Sequence, residues 1–294
     1  MATPTHGSLV VNLTGLGGAG KSTVLRDLPG LIEERSRQAV RCVIMRRSKI
    51  SVLDQVRTAL GNPSLLSLAF QVSRRIRKDR SFWKRYVAWY SRLLLHLYCR
   101  QMVNTEEAPV ICLIDEGILQ YLGMSPVPPT RALLSRLPLP DIDLKLVVDR
   151  KTSIVRQIHR DKPVKESQVL TGEARLEQAA AIAALLLRTE TPEKVESLLA
   201  PWGAKFCRPA LTAGEIRRVL GQLSESGALC ESIYRKFAQR EAGYARVTRL
   251  IGDLGVVTVE INNYDGQEPR VVNTRIADAL LGISLRFGHK EISR

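Results

Sequence analysis

Short apolar runs recur along this chain and are separated by longer stretches in which apolar residues follow a helical spacing. Runs of this length with little polar interruption are typical of buried strands in a parallel sheet. Five runs fit the pattern and are predicted as strands: residues 9–13, 39–45, 109–117, 142–149 and 255–261.

The stretches between these runs favour helices. We predict helical structure at residues 23–28, 51–103, 131–137, 173–188, 192–199, 215–223, 229–251 and 272–281. Strands that alternate with helices predict an α/β fold of three layers, with a mostly parallel five-stranded sheet flanked by helices. We interpret residues 1–294 as a single domain with a helical insertion at 164–227. An alternative topology takes residues 204–207 as the last core strand.

The most specific motif follows the first predicted strand. It matches the phosphate-loop pattern G-x-x-x-x-G-K-S/T at Gly15, Leu16, Gly17, Gly18, Ala19, Gly20, Lys21, Ser22 and Thr23. Glycines let backbone N–H groups converge on an anion, and the N-terminus of the following helix adds partial positive charge. The motif predicts a P-loop NTPase fold that binds ATP, with Lys21 at the terminal phosphates and the Ser22 hydroxyl on Mg²⁺. A chance match is disfavoured because a strand enters the loop and a helix leaves it.

A second motif ends the third predicted strand, where the apolar run terminates in Asp115, Glu116 and Gly117. In a parallel sheet whose first strand carries the phosphate loop, a neighbouring strand delivers its terminal acidic residue close to the metal and the triphosphate. The run resembles a Walker B strand. It predicts Asp115 as a further Mg²⁺ ligand, and Glu116 as a base or an orienting group.

Cationic residues cluster in two places. Arg46 and Arg47 lie in the turn after the second strand, where open α/β sheets bind ligands. Residues 74–92 carry eight further Lys and Arg residues among aromatic side chains. Each cluster is either a solvated basic surface or a site for an anion, and the second could also contact a nucleic-acid backbone.

One side of the helix predicted over residues 82–97 carries an apolar stripe with steps of three and four: Trp83, Tyr86, Val87, Tyr90, Leu94 and Leu97. Side chains at this spacing lie on a common helix face. We predict that the stripe packs in the core, and a platform for stacking bases is the alternative.

Arg156 and Arg160 follow the fourth predicted strand and share one helical face, because they are four residues apart. Two cations on one face suit the neutralisation of a transferring phosphoryl group. An ordinary basic helix is the competing interpretation.

The composition narrows the class of protein. Lys and Arg number 44 against 29 Asp and Glu, so a net charge of +15 should attract nucleotides, phosphorylated metabolites, nucleic acid or an acidic membrane. No run of about 18 apolar residues indicates a membrane span. Residues 1–8 lack the pattern of a secretory signal, so we expect a cytoplasmic protein. Five isolated cysteines predict reduced thiols, and four scattered histidines predict no structural metal.

The order of these features resembles the nucleoside and nucleotide kinases of the P-loop class, with thymidylate kinase as the nearest pattern, over residues 9–160 and 232–281. The resemblance implies an acceptor site formed by Phe70, Arg74 and Arg75. It also implies a lid that carries Arg156 and Arg160, and an adenine pocket edged by Asn262 and Asn263.

Two motifs differ from thymidylate kinases. This chain has Asp115-Glu116-Gly117 where that family has Asp-Arg-Tyr, and Arg46-Arg47-Ser48-Lys49 where it has Asp-Arg-Glu-Pro. An acceptor other than thymidylate is therefore predicted. The cationic residues Arg46, Arg47, Arg74 and Arg75 predict that this acceptor is anionic. The phosphate loop by itself also resembles that of adenylylsulfate kinase.

We expect an ATP-dependent kinase that uses Mg²⁺ and transfers the γ-phosphoryl group to a small anionic acceptor, such as a nucleotide or a phosphorylated metabolite. An NTPase switch or adaptor that acts on a protein partner is a second hypothesis. A polynucleotide kinase or nucleic-acid-binding ATPase is a third. The oligomeric state is left open by the sequence, and a homodimer is one option.

Overall fold

The computed structural model describes residues 7–15, 19–46, 49–75, 82–115, 117–123, 129–159, 164, 166, 169–263 and 268–292. The chain divides into two compact units. The first contains the described parts of Met1–Gly15, Ala19–Val147 and Ala242–Arg294, and the second contains those of Val148–Glu241. That both belong to one kinase domain with an insertion at 164–227 stays a prediction.

A five-stranded sheet forms the centre of the first unit. Its strands are β1 (Leu9–Gly15), β2 (Arg41–Met45), β3 (Val110–Asp115), β4 (Ile142–Val147) and β5 (Val257–Asn262). The order across the sheet is β2-β3-β1-β4-β5, and every neighbouring pair is parallel. The predicted three-layer α/β fold is confirmed. The alternative strand at 204–207 is wrong, since residues 204–206 continue a helix whose buried Trp202 packs in an apolar core.

The described helices are α1 (Lys21–Arg35), α2 (Val52–Leu60), α3 (Ser64–Arg75), α4 (Phe82–Thr105), α5 (Ile118–Gly123), α6 (Arg131–Leu134), α7 (Arg150–Ile158), α8 (Glu173–Leu186), α9 (Pro192–Phe206), α10 (Ala213–Glu225), α11 (Gly227–Gly252) and α12 (Pro269–Ile292). None of these helices, as far as they are described, has both the length and the apolar character needed to cross a bilayer. Helix α1 continues through Pro29 instead of ending at Leu28, because Leu28 and Ile32 on either side of the proline are both buried.

Helix α4 provides the core on one face of the sheet, where it contacts β1 and β3. The predicted stripe on this helix is correct only in part. Trp83 and Val87 are 71% and 50% exposed, whereas the residues that pack in or against the core are Tyr86, Trp89, Tyr90, Leu93, Leu94 and Leu97. The buried positions follow alternating steps of three and one, so the buried face is centred beside the predicted stripe.

The second unit is a helical assembly in which α8, α9 and α10 pack against one another and α7 packs against α8 and α9. Its core is apolar and includes Ala183, Val195 and Leu199, each with no exposed surface. Capping residues stabilise the N-termini of two of these helices. At the start of α7, the Asp149 carboxylate accepts a hydrogen bond from the Thr152 N–H. At the start of α10, Thr212 forms a capping box with Glu215.

The four described cysteine side chains, Cys42, Cys99, Cys112 and Cys207, are free and buried, as the isolated spacing predicted. Burial raises the pKa of the Cys42 thiol to about 12. This thiol therefore stays protonated at neutral pH.

Candidate phosphate-binding site

The predicted phosphate loop, residues 15–23, connects β1 to α1. Gly15 and Gly20 have φ values of 143° and 88°, a region that favours glycine. A Cβ atom at Gly15 would lie 2.6 Å from the Leu146 carbonyl oxygen, and one at Gly20 would lie 2.6 Å from Asn263 Nδ2. Both glycines are therefore favoured by conformation, and at Gly15 the backbone of Leu146 also leaves no space for a side chain. Gly17 and Gly18 lie outside the described residues.

Lys21 is the first residue of α1, and its ammonium group folds back onto the loop. Its Nζ donates a hydrogen bond to the Gly15 carbonyl oxygen at 2.7 Å. Ser22 is exposed and Thr23 is half-buried. The lysine, the serine hydroxyl and the N-terminus of α1 thus lie at the same end of the loop.

Asp115 ends β3 beside the strand that enters the loop. It pairs in register with Leu13, two residues before Gly15. Its carboxylate is 21% exposed and lies 3.3 Å from Nη2 of Arg46. The structure therefore pairs Arg46, a candidate for binding an anion, with Asp115, the predicted metal ligand. Glu116 and Arg47 lie outside the described residues.

The donors at this position fit Mg²⁺. Among the described residues, no group of three or more His, Cys, Asp or Glu side chains could hold a metal ion. Mg²⁺ is usually held by one or two protein oxygens together with phosphate oxygens and water. The Asp115 carboxylate and the exposed Ser22 hydroxyl are donors of that kind.

Asn263, predicted at the edge of an adenine pocket, contacts the phosphate loop directly. Its Nδ2 donates to the Ala19 carbonyl oxygen at 2.7 Å, and its backbone N–H donates to the Val147 carbonyl oxygen at 2.8 Å. The neighbouring Asn262 is exposed at the end of β5. The sequence did not predict the contact of Asn263 with Ala19, because no feature of the sequence around either residue indicates it.

A buried polar group on β1 and β4 was also missed. Asp143 Oδ1 accepts hydrogen bonds from Thr14 Oγ1 at 3.0 Å and from Asn12 Nδ2 at 3.3 Å. Burial raises the pKa of Asp143 to about 6, although the bonds from Thr14 and Asn12 act in the opposite direction. The signal was present in the sequence, because Asn12 and Thr14 interrupt an otherwise apolar run.

The predicted acceptor residues on α3 are partly described. Phe70 is 45% exposed, and the guanidinium carbon of Arg74 lies 5.8 Å from the centre of its ring. The side chain of Arg75 is outside the described residues. The two described side chains form a cation–π pair on one face of the helix.

The predicted lid residues belong to the second unit. Arg156 lies on α7 and is half-buried. Arg160 is outside the described residues. The roles of both arginines stay predictions.

No family model matches the chain, and no curated protein matches it. Among solved structures, the chain is similar to TT1252 from Thermus thermophilus, with 16% identity over 74% of this chain and 97% of that chain and a TM-score of 0.26. It is also similar to EHV4-TK complexed with TP5A, with 10% identity over 94% of this chain and 90% of that chain and a TM-score of 0.28. TM-scores this low carry no argument about function.

Proposed function

We propose that this protein transfers the γ-phosphoryl group of ATP to a small anionic acceptor. The proposal is carried by one observation: Lys21 folds onto Gly15 in a loop shaped by two glycines, and Asp115 ends the adjacent parallel strand. This arrangement supports the proposal because the Lys21 ammonium group, the N-terminus of α1 and Asp115 all lie at the carboxyl ends of β1 and β3. Phosphoryl transfer depends mainly on such positioning and charge neutralisation.

The chain's own groups supply most of the required charge. Backbone N–H groups from Gly17 to Lys21 would hold the β-phosphate, and the Lys21 ammonium would leave Gly15 for the terminal phosphates. Mg²⁺ held by Ser22 and Asp115 would supply further positive charge to the phosphate oxygens. Arg156 and Arg160 are proposed as lid donors, a contribution worth on the order of 10³-fold in related chemistry.

The ion pair between Arg46 and Asp115 has to open when Asp115 takes up its proposed role. The Arg46 side chain is 51% exposed, so the pair contributes at most about 1 kcal/mol. Nucleotide binding can therefore release Arg46 at little cost. We propose that Arg46 then contacts the acceptor together with Arg47, Phe70, Arg74 and Arg75.

The role proposed for Glu116 depends on the chemical class of the phosphoryl acceptor. Glu116 would remove the proton from a hydroxyl acceptor, whereas a phosphate acceptor needs no base and Glu116 would only orient it.

Asn262 and Asn263 are proposed to contact the adenine, and Asn263 also supports the phosphate loop through its hydrogen bond to Ala19.

The test is transfer from ATP labelled at the γ-phosphate, with Mg²⁺, to nucleosides, nucleoside monophosphates, sugars, sulfated metabolites and oligonucleotides with a 5′-hydroxyl group. We expect the wild-type protein to transfer the phosphoryl group to one of these classes of acceptor. The rate of this transfer should fall at least about 100-fold in Lys21→Ala and in Asp115→Ala. Lys194→Ala removes an exposed lysine of the second unit and should leave the rate unchanged. Full transfer by Lys21→Ala would contradict the proposal. ATP binding without any transfer would favour the switch or adaptor.

A further inference from the structure

The chain at Gly117 and Ile118, shortly after β3, lies against a fully buried histidine. His96, on α4, has no exposed surface, and its Nε2 accepts a hydrogen bond from the Ile118 N–H at 3.1 Å. Ile118 is the first residue of α5 and lies three residues after Asp115. Since Nε2 is the acceptor, the neutral ring carries its proton on Nδ1.

The surroundings of His96 keep its ring neutral. Burial lowers its pKa to about 3, and the positive charge of Arg100 acts in the same direction, while the backbone of Pro138 partly opposes them. At neutral pH the ring can therefore accept the Ile118 hydrogen bond.

Gly117 lies tightly between His96 and the strand that enters the phosphate loop. A Cβ atom at this position would lie 2.6 Å from His96 Nε2 and 1.6 Å from Asn12 Oδ1. Asn12 is buried in β1 and donates its amide hydrogen to Asp143. Gly117 is thus packed closely between α4 on one side and β1 on the other.

We propose that His96 is a positioning residue for the Asp115 carboxylate, acting through its hydrogen bond to Ile118 and its contact with Gly117. The inference rests on the proposed function, in which Asp115 binds the metal. Asp115 is the last residue of β3, so the direction of its carboxylate depends on the backbone that follows. A displacement of about 1 Å at a reacting site can cost 10²-fold in rate.

The test compares two substitutions of the histidine. His96→Leu removes the acceptor, and we expect kcat to fall about 10- to 100-fold and the Mg²⁺ concentration for half-maximal rate to rise about tenfold. His96→Gln supplies an oxygen that can accept the Ile118 hydrogen bond, so most of both losses should be recovered. The KM for ATP at saturating Mg²⁺ should change little in either variant.

Two further variants separate positioning from stability. Leu95→Ala removes a buried apolar side chain from the same helix and should lower stability without changing the Mg²⁺ dependence. In an Asp115→Asn background, His96→Leu should cost less than about threefold in kcat, because the group it positions is already altered.

The inference is overturned if His96→Leu keeps the wild-type kcat and Mg²⁺ dependence while its stability falls as in Leu95→Ala. If His96→Leu does not fold, the comparison of His96→Gln with the shorter His96→Asn decides the same point, with Asn expected to resemble Leu. A wild-type protein that transfers phosphoryl groups to no acceptor would remove the proposed function, and this inference with it.

Discussion

The interior beneath the predicted phosphate loop and the interior of the second unit are built from different chemistry. The first contains Asn12, Thr14, His96 and Asp143, all buried. The core of the second unit is apolar, and the polar side chains buried in this unit are the hydroxyls of Thr152 and Ser153, which do not ionise. Charged groups of this unit form pairs that keep some exposure to solvent, such as Arg175 with Glu215 and Lys151 with Glu190. Among the described residues, His96 and Asp143 are the only buried side chains of the ionisable His, Asp, Glu, Lys and Arg types.

The two interiors differ in the free-energy cost of burying their side chains. Burying a polar or ionisable group costs free energy unless hydrogen bonds replace those of water. Perturbed pKa values cluster at functional sites more often than in ordinary cores. We therefore expect substitutions of the buried polar groups near the loop to change activity and pH dependence, and substitutions in the apolar core of the second unit to change stability alone.

Gly117→Ala should give the largest effect. The new Cβ would overlap Asn12 Oδ1 and His96 Nε2, so we expect a loss of about 3 kcal/mol in the free energy of unfolding of the first unit. Hydrogen exchange of peptides from β3 and α4 measures this loss. Gly221→Ala in α10 is the matched control, since nothing lies within 4 Å of its Cβ position, and it should stabilise its helix by about 0.5–1 kcal/mol. Equal effects at the two glycines would contradict the comparison.

Leu199→Ala should be nearly as destabilising, for a different reason. Leu199 has no exposed surface in the apolar core of the second unit, and its truncation should cost about 3 kcal/mol through lost burial and a cavity. Hydrogen exchange of α8 and α9 peptides should show the loss at every pH between about 4 and 7. A loss that varies with pH in this interval would break the contrast between the two interiors.

Asp143→Asn should change how stability depends on pH. The folded-state pKa of Asp143, about 6 against an ordinary 3.8, means that its contribution is present below 3.8 and is lost as pH rises through 6. His96 acts in the opposite sense, because its folded-state pKa of about 3, against 6.5, gives stability above 6.5 that is lost as pH falls toward 3. The two slopes largely cancel between about pH 4 and pH 6.

In the Asp143→Asn variant only the His96 slope remains. The free energy of unfolding, relative to the wild type, should therefore rise by up to about 1.4 kcal/mol per pH unit over this interval. Urea unfolding of both proteins at a series of pH values measures the difference. A constant difference across the interval would show that Asp143 keeps an ordinary pKa.

Asn263→Ala should have the smallest effect on stability. Loss of the 2.7 Å hydrogen bond to Ala19 should cost about 1 kcal/mol and raise the KM for ATP. Asn62→Ala is a matched control, because it removes a 2.9 Å bond from a side-chain amide to the Thr58 carbonyl oxygen away from the loop. We expect Asn62→Ala to lose a similar amount of stability while its KM for ATP stays unchanged. An equal rise of the KM in both variants would argue against a role of Asn263 at the phosphate loop.

Much of the fold could be predicted from the sequence. All five strands lie where apolar runs predicted them, with ends shifted by a few residues. The prediction that Asp115 would end beside the phosphate-loop strand agrees with the pairing of β3 with β1. Periodicity was less reliable for α4, where Trp83 and Val87 are exposed, because which face of an amphipathic helix is buried depends on the elements that pack against it.

The sequence by itself determined the features that arise from local sterics and hydropathy: the strands, the glycine-dependent ends of the loop and the polar ends of β1 and β3. Only the tertiary structure decided which groups meet: Arg46 with Asp115, Asn263 with Ala19, and His96 with the turn that follows Asp115. The physical reason is range. A backbone angle depends on a residue and its neighbours, whereas a hydrogen-bond partner or a shifted pKa depends on segments that are distant in the chain, such as Asn263, which lies 244 positions from Ala19.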